Sequence, residues 1–348
     1  MQSMHAVVKH SRNGEPYFII EEVPVPAITS PDEVKIKIAY AGICTSDIHV
    51  LSKAMKMPDG NIVGHEYSGV VSEVGNGVEA LRVGDRVVCE LAVGYCGNCK
   101  MCRRGKYELC PSKRPPGWVS QGIYTEYAVM RSRIVHRLPD SIPLDVAALA
   151  EPIAICVYGC LERARIQKED LTLIYGMGPI GLLSLIVLRD FGVEKIVCVS
   201  PTKHGRERLT LAKELGADLV IATEDFVPRT LFEQTGEKGV DCVVECSGAE
   251  PAINEGIRLL NRDGKFVGLG IAHHDSVNIA YNTALLNPLT LTYSCTSSHT
   301  SWITTLGIME RNQSLLQRLI THRFPLAEWE KAYRAIETRQ AIKCLLVP

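Results

Sequence analysis

The chain has 348 residues, a length that corresponds to about two domains. Hydrophobic residues make up 46% and charged residues 22%, which supplies enough apolar surface for a large core and excludes a disordered or fibrous protein. Lys plus Arg number 38 against 39 for Asp plus Glu, a formal net charge of −1, so no global field draws nucleic acid or an anionic membrane and the expected partner is a small molecule.

Residues 1–26 carry charges every few positions with no apolar segment of the signal-peptide kind, and the longest nearly apolar run, 179–188, is half a membrane span. The expectation is a cytoplasmic protein without membrane attachment. Short β-branched runs at 33–39, 67–74 and 82–89, broken by Gly and Pro, predict a mostly β region up to about Asp140 with no clear helical period. A helical period enters over 145–165. Strands are then predicted at 171–175, 195–199, 219–222, 240–246 and 265–269, alternating with helices at 180–190, 207–215 and 251–260. Such βαβ repetition implies a doubly wound parallel sheet covered on both faces. Residues 301–348 add helices and a strand-like 341–347 that can return to either part.

Thirteen cysteines in a reducing compartment point to metal ligation or buried thiols, not disulfides. Four of them form Cys96-x2-Cys99-x2-Cys102-x7-Cys110, in a loop whose Gly97, Asn98 and Gly105 permit sharp turns. Four thiolates complete a tetrahedral zinc shell and leave no position for substrate, so this zinc is expected to be structural. Lys100, Arg103, Arg104 and Lys106 raise a zinc-ribbon alternative, but the ligands are not two separated pairs and no aromatic residues interleave with them. A solvated basic loop accounts for them better. The other cysteines sit singly or on apolar faces, as core thiols do.

A second constellation is discontinuous: Cys44-Thr45-Ser46-Asp47-Ile48-His49, then Gly64-His65-Glu66, then Glu151-Pro152. Thiolate, imidazole and carboxylate form a mixed set that suits zinc. With three protein ligands the fourth position is open, and an open zinc can hold an alcohol oxygen and lower its pKa. Taken singly, His65 is more often a hydrogen-bonded core residue and Glu151 a charge offsetting a helix dipole.

The third motif, Tyr175-Gly176-Met177-Gly178-Pro179-Ile180-Gly181, follows an apolar strand and opens an apolar helix. Gly176 suits the tight turn, Gly178 a close backbone approach to a pyrophosphate, and Gly181 helix-on-strand packing, while Pro179 and Ile180 begin the helix whose N-terminus faces the anion. An acidic residue would be expected at the end of the next strand to bond the ribose of NAD. Ser200 stands there instead, followed by Lys203 and Arg206. The absent carboxylate and the two cations favour NADP(H) over NAD(H), the alternative being a solvated loop with Glu207 reaching the ribose.

In order and spacing, 63–69, Gly84-Asp85-Arg86-Val87, the four-cysteine loop and the glycine turn resemble the zinc-dependent medium-chain alcohol dehydrogenases over nearly the whole chain. Within that family the chain looks most similar to the polyol (sorbitol-type) and threonine dehydrogenase branch, because Glu151 in Ala150-Glu151-Pro152 takes the place of a cysteine ligand. The resemblance implies an α/β protein in which a GroES-like β-rich catalytic domain, 1–151 and 293–348, carries an inserted Rossmann domain, 152–292. It implies catalytic zinc ligands Cys44, His65 and Glu151, with Glu66 adjacent, either behind the ligands or exchanging with them. Ser46 would take the relay hydroxyl position, His49 would pass the proton to solvent, and Asp47 would orient a ligand histidine. The local alternatives are a turn hydroxyl for Ser46, a surface imidazole for His49 and a helix cap for Asp47.

The expected cofactors are two zinc ions per chain, one catalytic and one structural, and NADP(H), with NAD(H) as the alternative. The expected reaction is hydride transfer from a secondary alcohol of polyol or sugar type, ranked above threonine-like and simple alcohols. Polyol enzymes carry an Arg-Tyr pair where this chain has Ser297-Ser298, which together with Trp118, Tyr124 and His299 are candidates to line the pocket. A non-catalytic zinc and nucleotide binder is the different-class alternative, but it would not need Cys44, Ser46 and Glu151 together. The resemblance further implies a homodimer or homotetramer, with 287–294 as the pairing edge strand.

Overall fold

Strands β1 (Ser3–Arg12) and β2 (Glu15–Pro24) form a hairpin closed by Asn13 and Gly14, both at positive φ (53° and 79°). An Asn-Gly pair in this conformation gives a two-residue turn whose twist matches that of the strands it joins. The computed structural model describes residues 2–348 apart from 54, 273 and 275, and its contacts divide them into two units, Met1–Glu151 with Thr296–Pro348, and Pro152–Cys295.

In the first unit, β3 (Glu33–Gly42) buries Val34, Ile36 and Ile38 at alternate positions, the period expected of a strand with one face on a core. It is followed by β4 (Glu66–Val74), β5 (Arg86–Cys89), β6 (Tyr127–Arg131) and β7 (Val135–Arg137). The predicted strand 82–89 is thus shortened to its second half. Gly84 at φ +94° and the Arg82 amide donating to Asp85 Oδ2 (2.8 Å) make a turn of its first half. A short helix, Thr45–Leu51, interrupts the β pattern.

The second unit contains β8 (Thr172–Tyr175), β9 (Ile196–Ser200), β10 (Leu219–Ala222), β11 (Val240–Glu245), β12 (Leu260–Gly268) and β13 (Thr290–Tyr293). Among the described residues they form one parallel sheet in the order β10-β9-β8-β11-β12-β13. Numbered within the unit this is 3-2-1-4-5-6, the Rossmann order, with its switch point beside β8. β8 and β9 are buried along their whole length, as strands covered on both faces must be.

The chain then returns to the first unit with β14 (Ile320–Pro325) and β15 (Lys343–Val347). They complete a sheet ordered β14-β15-β3-β4-β5-β7, with β6 also paired to β3. The core of this unit gathers Val34, Ile36, Val63, Val87, Tyr124 and Leu346.

The single helix predicted over 145–165 is in fact three pieces: Leu144–Ala147, Ala150–Val157 and a π-helical turn, Tyr158–Arg163. Pro152 explains the first break, because it has no N–H to donate and its ring clashes with the carbonyl four residues earlier. Its effect is to start a new helix with Glu151 in the first turn.

Candidate functional site

The four-cysteine loop closes on itself. Its Sγ atoms are separated by 3.6 Å (Cys96 to Cys110), 3.9 Å (Cys99 to Cys110) and 4.0 Å (Cys96 to Cys102). A tetrahedral zinc with Zn–S bonds of about 2.3 Å places its sulfurs about 3.8 Å apart, whereas a disulfide needs about 2.05 Å. The backbone presets the charge as well: N–H groups of Asn98 and Cys99 draw the Cys96 thiol down to about 6. The donor set therefore fits one metal ion in a closed shell.

Cys44 precedes the helix Thr45–Leu51, and its N–H donates to Asp47 Oδ2 at 3.2 Å. Asp47 is thus a cap, but not only that. Its Oδ1 lies 3.4 Å from His65 Nδ1, and Tyr124 donates its hydroxyl to Oδ2 at 2.6 Å and contacts the Gly42 carbonyl at 3.1 Å. An imidazole held through Nδ1 presents Nε2 to a metal. Gly64, at φ +92°, sets the entry to His65. A Cβ there would fall 2.3 Å from the Tyr124 ring, so the position has no room for a side chain.

One ligand atom each from Cys44, His65 and Glu66 lies within 4.8 Å of the others. Glu151 is buried nearby and outside that trio; burial, reinforced by the Glu66 and Asp47 charges and offset by His65 and Lys343, pushes its carboxyl up to about 7. Burial alone would depress the His65 imidazole, yet Asp47 and Cys44 hold it well above the ordinary histidine value. Ser46 Oγ and Glu151 Oε1 are buried without a hydrogen-bond partner. One thiol, three carboxyl groups, one imidazole and one ammonium, that of Lys343 on Glu66, thus share an enclosed site. Such a site favours a dication, and the orphaned oxygens are donors in want of one. His49 is half-buried one turn further along the same helix.

Of the other sequence candidates, Trp118 and Tyr124 adjoin this site, while Ser297, Ser298 and His299 make contacts of their own. Trp118 packs against His65 with ring centroids 4.4 Å apart and planes tilted by 32°. Tyr124 is fully buried, with its hydroxyl on Asp47. Ser297 accepts from the Trp302 indole N–H (2.9 Å), and Ser298 caps the helix His299–Arg311, so local structure engages both hydroxyls. His299 bonds Glu90. Lys343 was not among the sequence candidates, because nothing local relates it to Glu66.

In the second unit, the chain turns at the end of β8. Gly176 adopts φ +90° and donates to the Val199 carbonyl at 2.8 Å. A Cβ on Gly181 would sit 1.9 Å from the Gly176 carbonyl oxygen, while nothing lies within 4 Å of one built on Gly178. Gly178 is also the N-cap of the helix Pro179–Phe191, with Pro179 and Ile180 in its first turn. The open side of Gly178 and the unshared N–H groups of that turn form a cradle for an anion. Ser200 Oγ accepts from the Met177 amide at 3.3 Å, tying the end of β9 to this turn. Lys203 is exposed beyond it, as is Arg206 at the start of the next helix. In addition, the Glu224 carboxylate accepts from the Thr202 amide at 3.1 Å.

Comparison with known proteins agrees with both halves. Residues 30–140 match the alcohol dehydrogenase GroES-like domain and 179–311 the zinc-binding dehydrogenase domain. The chain is 34% identical to a sorbitol dehydrogenase of Halalkalibacterium halodurans over 346 residues, 99% of each chain. It is 32% identical to an L-threonine 3-dehydrogenase of Pyrococcus abyssi, again over 99% of each chain. Among solved structures, an Escherichia coli alcohol dehydrogenase complexed with NADH superposes with a TM-score of 0.86 at 26% identity, covering 100% of both chains.

Proposed function

On the premise that this chain belongs to the zinc-dependent medium-chain alcohol dehydrogenases, we propose that it oxidises a secondary hydroxyl of a polyol or sugar-type substrate to the ketone, with a nicotinamide dinucleotide as hydride acceptor. The observation that carries this reading is the enclosed convergence of Cys44, His65 and Glu66, with Glu151 and Ser46 buried beside them and left with unpartnered oxygens. When bound, zinc supplies a Lewis acid for the substrate oxygen and the nicotinamide takes the hydride. Cys44, His65 and one or both of Glu66 and Glu151 would hold that zinc. Asp47, braced by Tyr124, fixes the His65 ring. Ser46 receives the hydroxyl proton, and His49 passes it on to solvent. Cys96, Cys99, Cys102 and Cys110 would hold the second, structural zinc.

The glycine turn 176–181 would take the pyrophosphate. Ser200, Lys203 and Arg206 support NADP(H), since no carboxylate ends β9 to repel a 2′-phosphate. Glu224 favours the second reading, NAD(H), because it brings a carboxylate to the Thr202 amide on the same loop. Sorbitol, arabitol and xylitol, threonine and plain secondary alcohols, each tried with both cofactors while following reduced-nicotinamide absorbance, test these assignments. Greater turnover over KM for threonine than for any polyol would overturn the substrate class. A wild-type preference for NAD, or undiminished NADP use in Ser200→Asp, would overturn the cofactor choice.

A cytoplasmic homodimer or homotetramer completes the proposal. β13 is an edge strand with Tyr293 55% exposed, and Tyr281, Leu285 and Leu286 are exposed on the helix that precedes it. These apolar groups suit pairing with a second copy; a monomer by light scattering at micromolar concentration would contradict it. Among the described residues, no helix is long and apolar enough to cross a membrane.

A further inference from the structure

Three metal-binding side chains outside the sites above meet in the first unit: Glu90, just after β5, His136 in β7, and His299 at the start of the helix His299–Arg311. Glu90 Oε1 lies 2.8 Å from His136 Nε2 and 2.6 Å from His299 Nδ1, and the three ligand atoms are all within 4.8 Å of one another.

Each residue is held by contacts outside the cluster. The Glu90 amide donates to the Ile134 carbonyl at 2.9 Å. His136 pairs with Val88 across β5 and β7, and its ring stacks on Trp302 with planes 4° apart. Trp302 is itself fixed by its indole N–H on Ser297. His299 leaves the Ser298 cap, whose hydroxyl accepts from the Ser301 amide. Glu90 and His136 are buried, whereas the His299 side chain is 54% exposed. The cluster is therefore rigid on its inner side and open to water on its outer one.

One carboxylate oxygen can accept from two imidazoles, and this accounts for the distances without an ion. It leaves the charge unanswered. Glu90 is 5% exposed, and its ion pairs run to two imidazoles that are cationic only when protonated. A buried carboxylate is stabilised far better by a full positive charge. Two imidazoles and a carboxylate with an open fourth side form a His2Glu donor set, which binds zinc with water in the remaining position. At bond lengths of about 2.0–2.1 Å, neighbouring donors stand about 3.3 Å apart. The cluster reaches that spacing if the exposed His299 ring moves outward by about 0.7 Å and the Glu90 carboxylate draws back from His136 by about half an ångström.

We propose that Glu90, His136 and His299 form a further site for a divalent transition metal, zinc foremost, which clamps the start of the helix His299–Arg311 to β5 and β7. The inference is independent of the alcohol chemistry. The as-purified enzyme, His299→Ala and Glu90→Gln are each equilibrated with micromolar free Zn2+, and bound metal is counted by elemental analysis. The wild type should hold one more equivalent per chain than either variant and show a zinc-dependent rise in melting midpoint that both lack. Added Co2+ should give visible ligand-field bands at this site that disappear in His299→Ala. Equal counts in wild type and His299→Ala, or an additional equivalent retained by Glu90→Gln, would overturn the site.

Discussion

Replacing Lys343 by Met removes the ammonium that contacts Glu66 Oε2 inside the first unit. Both side chains are nearly inaccessible, at 3% and 1% exposure. Burial opposes the charge on Lys343, but Glu66 and Cys44 raise its pKa above the ordinary lysine value, so the ammonium keeps its charge at neutral pH. Methionine keeps the aliphatic stem and deletes the charge, leaving Glu66 among Asp47 and Glu151 without its cation. Removing one member of a buried pair costs about 3–5 kcal/mol. At about 2–4 °C per kcal/mol for a unit of this size, the melting midpoint should fall by about 6–20 °C. The measurement is thermal unfolding by circular dichroism on metal-free protein. Zinc at Cys44, His65 and Glu66 would supply part of the missing charge, so the zinc-loaded variant should lose less. Adding Glu66→Gln removes both charges and should recover most of the loss. A loss under about 1 kcal/mol in metal-free protein, or a double variant no more stable than Lys343→Met, would refute the reasoning.

Ser46→Ala should lower turnover about 100-fold, the lower end for a positioned proton-transfer group, because water can partly substitute; zinc content should not change, and an unaltered rate would reduce Ser46 to a turn residue. Gly181→Ala drives a Cβ to 1.9 Å from the Gly176 oxygen, so cofactor titration should show weaker binding and the melt a loss of about 1–3 kcal/mol. Cys102→Ser should release about one zinc per chain and lower the melting midpoint, read by elemental analysis and calorimetry, with unchanged metal content as the contrary result. Burial raises the Asp145 pKa, but Arg323 at 2.5 Å and the Val146 amide outweigh it and lower the folded value. Its stabilisation is therefore full above the unfolded pKa of about 4 and lost as pH falls through the folded one. The stability gap between wild type and Arg323→Gln, at most about 1 kcal/mol at pH 7, should close in acid.

Motifs with fixed spacing inside one short stretch were the most legible. The cysteine quartet falls within one loop and the glycine turn within seven residues, so spacing alone predicted that the four sulfurs converge and that the chain turns tightly after β8. The βαβ alternation likewise predicted the parallel sheet. The helix Thr45–Leu51 escaped because seven residues with a β-branched start give no period, while its Asp47 cap is a single side chain reaching back to Cys44. Pro152 was visible, but its breaking effect was masked by the apolar period running through it. Charge balance was least legible: Lys343 meets Glu66, and His299 meets Glu90 across 209 positions, through strand pairings that no local pattern encodes. Ser297 and Ser298 carry local roles that the sequence did not suggest, an acceptor for the Trp302 indole and a helix cap.

The pairing of β15 with β3, through Leu345 with Gly42 and Leu346 with Ala41, has a consequence for the order of events at the ribosome. Cys44, His65, Glu66 and Glu151 are all synthesised before the inserted unit begins, yet the strand that covers β3 and delivers Lys343 emerges only after that unit is complete. Until then the end of β3 at Ala41 and Gly42 lacks its partner beside the Glu66 and Glu151 carboxyl groups, a state prone to mispairing and to capture of an adventitious cation. Metal binding at these residues would thereby be coupled to a late step of translation, and a chain stalled within the inserted unit would carry Cys44, His65, Glu66 and Glu151 without the Lys343 ammonium.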